Sequence, residues 1–311
     1  MKKITPFLFL LTTLLSYSQE KIKIESVLQD IIKQFPTARD FTISPTQDEA
    51  YFTAQGYSGE LSTIIKVIKK KGIWSTPEIA PFSGQFKDME AMFSPDGLKL
   101  YFVSNRPLKN TDIVIKDYDI WYIERSGISA DWSSPKNIGS PINTNEDEFY
   151  PSVAKNGNLY FTSTITTKTK GKDDIFVSEL KQNQYTDPKS LSTAINSDGY
   201  EYNSYIAPDE SFLIFGAYKR KDGLGSGDLY ISHKDNQGNW SMSKNLGNKI
   251  NSDKMDYCPF YDFKNQKLYF TSKRNTIKET TESSRDLKQL LETMNSYENG
   301  LSRVYSVLLR L

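Results

Sequence analysis

The stretch Phe93-Ser94-Pro95-Asp96-Gly97-Leu98-Lys99-Leu100-Tyr101-Phe102-Val103-Ser104-Asn105-Arg106 decides the reading of this chain. Its proline and glycine set the angles of a tight turn, and the Tyr-Phe pair that follows belongs to a strand. Four weaker copies surround it. One runs from Ile43-Ser44-Pro45 through Tyr51-Phe52. Others pass Asn156-Gly157 to Tyr160-Phe161-Thr162-Ser163, and Ala207-Pro208-Asp209 to Ile214-Phe215. The last ends in Leu268-Tyr269-Phe270-Thr271-Ser272-Lys273-Arg274. A period of roughly 50 to 60 residues means a propeller or another array.

Around the Tyr-Phe strand, each copy reads as four short strands. An inner strand precedes the turn, as in Phe149 to Ala154. A third strand opens on an acid: Asp119-Ile120-Trp121, Asp174-Ile175-Phe176 and Asp228-Leu229-Tyr230. An outer strand carries an aromatic residue and often a proline, as in Trp132-Ser133-Ser134-Pro135, because an edge strand tolerates the missing N–H. One such sheet cannot bury both faces, whereas a radial arrangement covers each with its neighbour. The expected fold is all-β. It is a propeller of five four-stranded blades, with six as the alternative, at approximately 37–80, 86–140, 146–193, 199–248 and 254–311.

The runs Phe93 to Arg106 and Ile142-Asn143-Thr144-Asn145-Glu146-Asp147-Glu148-Phe149-Tyr150-Pro151-Ser152 resemble the WD40-like PD40 repeat of TolB-type propellers and of many exported Bacteroidetes proteins. The resemblance covers about residues 37 to 311. Blade one departs from it with Gln47-Asp48 at the turn, and blade five with Phe263-Lys264-Asn265. It implies an exported propeller of the cell envelope.

Composition agrees with a strand-rich fold: of 311 residues, 19 are Tyr, 17 Phe and 4 Trp. The net charge is +1 and there is no basic stripe, so no nucleic-acid partner is expected. Lys2 and Lys3, the apolar run Phe7 to Leu15 and Ser16-Tyr17-Ser18 read as a signal peptide over 1–18, cleaved before Gln19. No later stretch is apolar enough for a transmembrane helix, and a periplasmic or secreted monomer is expected. Residues 19–36 form an N-terminal segment. Lys23 to Phe35 has helical spacing, while Lys21 to Glu25 alternates like a strand. The chain ends on what reads as the third strand of blade five. A segment near Lys21 to Val27 is therefore expected to supply the outer strand, so that no edge is left open. An insertion near 283–297 reads as a helix packed on the rim, opened by a capping box of Ser283 and Asp286.

Aligning the inner strands on the Tyr-Phe pair brings Asp88, Glu148, Glu201 and Asp256 to one level. Blade one has Ala38 there and Asp40 two residues later. Acids at that level would ring one mouth of the axial channel as candidate ligand-binding groups, and if they hold a metal their oxygens imply Ca²⁺, with no other cofactor expected. The alternative is that each is satisfied by backbone N–H groups or by a nearby Lys or Arg. Arg106, Arg220 and Arg274 follow the second strand and are expected to staple blades, together with the third-strand acids Asp119, Asp174 and Asp228. Gly223-Leu224-Gly225-Ser226-Gly227 lacks a P-loop lysine and reads as a plain loop.

Cys258 and His233 are the only residues of their kinds. With no nucleophile motif, no catalytic residue is assigned, and no turnover of esters, peptides or phosphates is expected. The expected function is a non-catalytic binding or scaffolding module for an envelope protein or a glycan. The alternative is a propeller glycoside hydrolase or lyase with axial carboxylates. What separates the two is asymmetry, because an active site needs two carboxylates in unlike environments.

Overall fold

The computed structural model describes residues 22–109, 116–278 and 286–311. The segment read as a signal peptide falls outside these. Five sheets form the blades of a propeller. Blade one consists of Thr37–Ile43, Glu49–Gln55 and Ser62–Lys70, with the short outer pieces Ile73–Trp74 and Glu78–Ile79. Blade two is Asp88–Phe93, Lys99–Ser104, Asp119–Glu124 and Lys136–Asn137. Blade three is Glu148–Val153, Leu159–Ser163, Asp174–Ser178 and Lys189–Ser190. Blade four is Tyr200–Ile206, Phe212–Tyr218, Asp228–His233 and Lys244–Asn245. In blade two the aromatic and proline residues read as the outer strand stand just before it, since pairing begins only at Lys136 after Pro135.

Blade five is Asp256–Asp262, Lys267–Ser272 and Arg303–Leu308, and its outer strand is the N-terminal Ile24–Ser26. Ile24 pairs with Val307 and Ser26 with Tyr305, antiparallel, and the Val27 amide donates to the Val304 carbonyl at 3.0 Å. Strand addition thus closes the ring and covers the edge of Arg303–Leu308. The helical spacing read over Lys23 to Phe35 yields only Gln29–Ile32, because the strand takes the first part and Pro36 cannot continue a helix.

The insertion forms the helix Leu287–Met294, capped by Asp286, whose side chain accepts from the Lys288 amide. Ser283 lies outside the described residues. The helix is not packed on the rim as expected. Leu287, Leu290, Leu291 and Met294 are all exposed, and the helix buries no residue. Among the described residues no helix is long and apolar enough to cross a membrane.

The turn between inner and second strand of blade two works as the sequence requires. Gly97 has φ +70°, where a Cβ would be strained. The Ser94 hydroxyl accepts from the Lys99 amide at 2.9 Å. Blades pack on one another through aromatic and branched side chains, Tyr51, Phe102, Phe161, Phe215 and Phe270 among them, all buried.

Each inner strand contains a bulge, marked by a register shift against the second strand. At each bulge sits a non-glycine residue with positive φ: Asp40 (61°), Glu90 (60°), Tyr150 (50°), Asn203 (50°) and Cys258 (53°). An L-residue held there costs about 1 kcal/mol or more. Five such residues, one per blade, concentrate strain where the five inner strands meet.

Candidate functional site at the propeller axis

The four aligned acids are not at an open mouth. Asp88, Glu148, Glu201 and Asp256 are each 0% exposed, so they cannot ring a channel entrance. Three of them meet the arginines: Arg106–Asp88 at 2.7 Å, Arg220–Glu201 at 2.9 Å and Arg274–Asp256 at 3.1 Å. The arginines therefore staple the inner strand, and not the third-strand acid that was expected. Each guanidinium also stacks between aromatic rings of the second and third strands, as Arg220 does on Phe215 (5.3 Å) and Tyr230 (4.7 Å). A hydroxyl completes the set: Ser83, Thr144, Ser197 and Ser252 donate to Asp88, Glu148, Glu201 and Asp256 respectively.

Blade three lacks the arginine. Ile165 stands two residues after Ser163, as Arg106 does after Ser104, and it packs against Phe161 and Phe176. Glu148 is left with Thr144 and Ser163, and burial pushes its carboxyl up to about 7. The third-strand acids close local loops. Asp119 pairs with Lys116 (2.9 Å) and accepts from Asn137. Asp174 accepts from the Lys170 and Gly171 amides, and Asp228 from the Leu224 and Gly225 amides. The Gly223–Gly227 stretch is such a loop, and a Cβ on Gly225 would stand 1.9 Å from the Lys254 carbonyl oxygen. His233 ends a strand at the surface, exposed.

The axis is occupied by the bulge residues instead. Arg39 Nε donates to Asp40 Oδ1 at 2.7 Å, and Arg39 Nη2 to Glu90 Oε1 at 2.6 Å and to Cys258 Sγ at 3.3 Å. Asn203 Nδ2 reaches Glu90 Oε1 at 3.4 Å. The bulged amides explain how Glu90 comes to be held there. Those of Asp40, Glu90 and Asn203 donate to Thr271, Thr53 and Thr162 of the preceding blade, at 3.2, 3.1 and 3.0 Å. The position that would serve Tyr150 is Val103, which has no hydroxyl. The Tyr150 amide donates instead to Glu90 Oε2 at 2.7 Å.

The two axial carboxylates sit in unlike surroundings. Glu90 is 4% exposed, and burial outweighs Arg39 to raise its carboxyl to about 7, with the Asp40 charge pushing the same way. Asp40 has one oxygen on Arg39, while its Oδ2 is buried and accepts no hydrogen bond from nitrogen or oxygen. The Cys258 thiol lies beside it, pushed well above its ordinary range by burial and so inert as a nucleophile. Among the described residues no cluster of three or more His, Cys, Asp or Glu is placed to hold a metal ion.

Two cavities flank this core. At the turn end, one of about 210 Å³ is lined by all five blades, with Ile43, Phe93, Val153, Ile206 and Phe260 in its wall. At the end where the inner strands begin, a cavity of about 440 Å³ lies between blades five and one, and Arg39 reaches into it beside Tyr57 and Tyr257.

Sequence alignment placed the wrong acids at the axis. Asp40 was noted and Glu90, Asn203 and Cys258 were missed. The available signal was a charge inside the apolar run Met89-Glu90-Ala91-Met92-Phe93, where a strand edge offers no solvent.

No family model matches the chain, and no curated protein matches it. Solved structures do. A GH43 endo-arabinanase from Bacillus licheniformis is 15% identical, with 88% of this chain and 95% of that one covered and a TM-score of 0.48. The catalytic domain of a GH62 α-L-arabinofuranosidase from Coprinopsis cinerea is 10% identical, with 88% and 91% covered and a TM-score of 0.49. A GH32 β-fructofuranosidase from Bombyx mori is 12% identical, with 86% and 58% covered and a TM-score of 0.48. These three neighbours are glycosidases by name, where a non-catalytic module was expected and a glycoside hydrolase or lyase was the alternative, and the expectation of a non-catalytic module is not carried further. At such identity the likeness speaks to the fold and transfers no residue role, so any chemistry has to be argued from the axial residues themselves.

Proposed function

We propose that the chain is an exported glycan-cleaving propeller, a glycoside hydrolase or lyase that works at the axis through Glu90 and Asp40. The observation that carries this reading is the asymmetry of the two carboxylates on either side of Arg39. With its carboxyl raised to about 7, Glu90 keeps a proton near neutral pH and is suited to protonate a leaving glycosidic oxygen. Asp40, with an uncommitted buried Oδ2, is suited to take the proton of an attacking water or to attack the anomeric carbon. In the lyase version the same oxygen removes the proton α to a carboxyl group.

Both carboxylates are almost fully buried, whereas the Arg39 side chain is 17% exposed and lines the 440 Å³ cavity. Substrate therefore meets the guanidinium first, and displacement of Arg39 gives access to Glu90. Tyr57, on the cavity wall and exposed, offers a ring face for sugar stacking. Export rests on residues 1–18, and the PD40 character of the repeat on the residues quoted at the outset.

The test is release of new reducing ends, or of unsaturated product absorbing in the ultraviolet, from a panel of plant and bacterial polysaccharides. Wild type should act on at least one. Glu90→Gln should lose about 10²- to 10⁴-fold in kcat, the usual worth of a positioned proton donor. Absence of turnover across the panel, or full activity in Glu90→Gln, would contradict the reading.

A further inference from the structure

The charge around the cavity between blades five and one is one-sided. Among the described residues Arg39 and Lys273 line it, and no aspartate or glutamate does. Lys273 is exposed, and its ammonium has no partner among the described residues. Arg303 stands directly behind, next to the lining residue Ser302, and is 4% exposed. All of its hydrogen bonds run from one nitrogen, Nη1, to the backbone carbonyls of Phe35, Pro36 and Ser302. Its Nε is buried without a partner, and it pairs with no carboxylate among the described residues. Burial accordingly lowers its pKa. The acid of the rim loop, Glu60, is held outside the lining, where its carboxylate accepts from the Ser58 amide at 2.9 Å and lies against the backbone of Gly56. On the axial side, Asp40 and Glu90 are both engaged by Arg39.

A buried cation without a counter-charge is costly, and a cavity that presents the Lys273 ammonium beside the edge of the Arg39 guanidinium, with no acid among its described lining residues, favours an anion. The cavity of about 440 Å³ lies within the range of small-molecule sites. Tyr57, 74% exposed, supplies a flat face, while the buried Tyr257 ring lies 5.1 Å below the Arg39 guanidinium and supports it. We propose that this cavity is a subsite for a carboxylate-bearing sugar, so that the substrate is a uronic-acid glycan rather than a neutral one. The sugar carboxylate bridges Lys273 and Arg39, and by competing for the guanidinium it loosens Arg39 from Glu90. This deepens the hydrolase or lyase reading and rests on it only for the word substrate, because binding is measurable without turnover.

The probes are trigalacturonate and its carboxyl-reduced, neutral galactose trimer, titrated calorimetrically into wild type, Lys273→Ala, Lys273→Glu and Glu90→Gln. The acidic trimer should bind at least about tenfold more tightly than the neutral one, as one charge-assisted contact allows. That preference should shrink in 0.5 M salt, fall by about threefold or more in Lys273→Ala and disappear in Lys273→Glu. Glu90→Gln, which removes the competing carboxylate from Arg39, should keep or strengthen it. Equal affinity for the two trimers, or acidic binding unchanged in both Lys273 variants, would overturn the proposal. Tight acidic binding without product would leave it standing and remove the catalytic reading. Cleavage of neutral glycans with no acidic preference would do the reverse.

Discussion

Glu148→Gln isolates the one blade whose acid lost its arginine. Glu148 is fully buried, with Thr144 and Ser163 as its hydrogen-bond partners, and its carboxyl is raised from 4.5 to about 7. The folded protein thus holds this proton more tightly than the unfolded chain does. The stability it contributes is whole below about pH 4.5 and is lost as pH rises through about 7. A displacement of that size corresponds to about 3 kcal/mol. Glu90 adds a loss of the same sign, so the wild-type fall is the sum of both. In Glu148→Gln the neutral amide mimics the protonated acid at every pH. Urea unfolding followed by tryptophan fluorescence from pH 4.5 to 8 reads both. Wild type should lose stability steadily over that range, and the variant should lose about 3 kcal/mol less. A variant whose stability falls as steeply as that of wild type would refute the reasoning.

Ile165→Arg should supply the missing guanidinium between Phe161 and Phe176 and flatten the same pH dependence, read by the same titration; an unchanged slope would mean the arginine does not reach Glu148. Deleting Gln19 to Phe35 removes the closing strand and the buried Val27 and Ile32, worth about 3–6 kcal/mol in apolar burial alone. The melting temperature should drop clearly and the edge Arg303–Leu308 should promote association, whereas an unchanged melt with soluble monomer would contradict closure by strand addition. If Glu90 donates a proton, kcat should fall as pH rises through about 7, where its carboxyl ionises; a rate that is flat across that range would remove Glu90 from the role.

The propeller was legible because its cause is local. Turn residues and an alternating Tyr-Phe strand recur at one period, and only radial packing buries both faces of each sheet. Closure by residues near Ile24 followed from the missing outer strand of blade five. The site was less legible for a physical reason. Counting residues along a strand assumes period two, and a bulge breaks it. Alignment brought Asp88, Glu148, Glu201 and Asp256 to one level correctly, but the residue each blade turns to the axis is two positions later, at positive φ. The staples were misassigned by proximity in sequence. Arg106 lies closer along the chain to Asp119 than to Asp88, yet the near-constant offset of 18 residues in Arg106–Asp88 and Arg274–Asp256 and 19 in Arg220–Glu201 was present to be read. The insertion helix showed an apolar face, which sequence reasoning turned toward the rim, while the structure leaves it exposed.

The most direct measurement compares wild type, Glu90→Gln and Glu148→Gln for product release from the same polysaccharide panel at pH 6. Both residues are buried acids with raised carboxyls, but only Glu90 is at the axis. The axial account predicts turnover by wild type and by Glu148→Gln, and a loss of at least about 10²-fold in Glu90→Gln. Activity that survives in Glu90→Gln and disappears in Glu148→Gln, or that is absent from all three proteins, would contradict it.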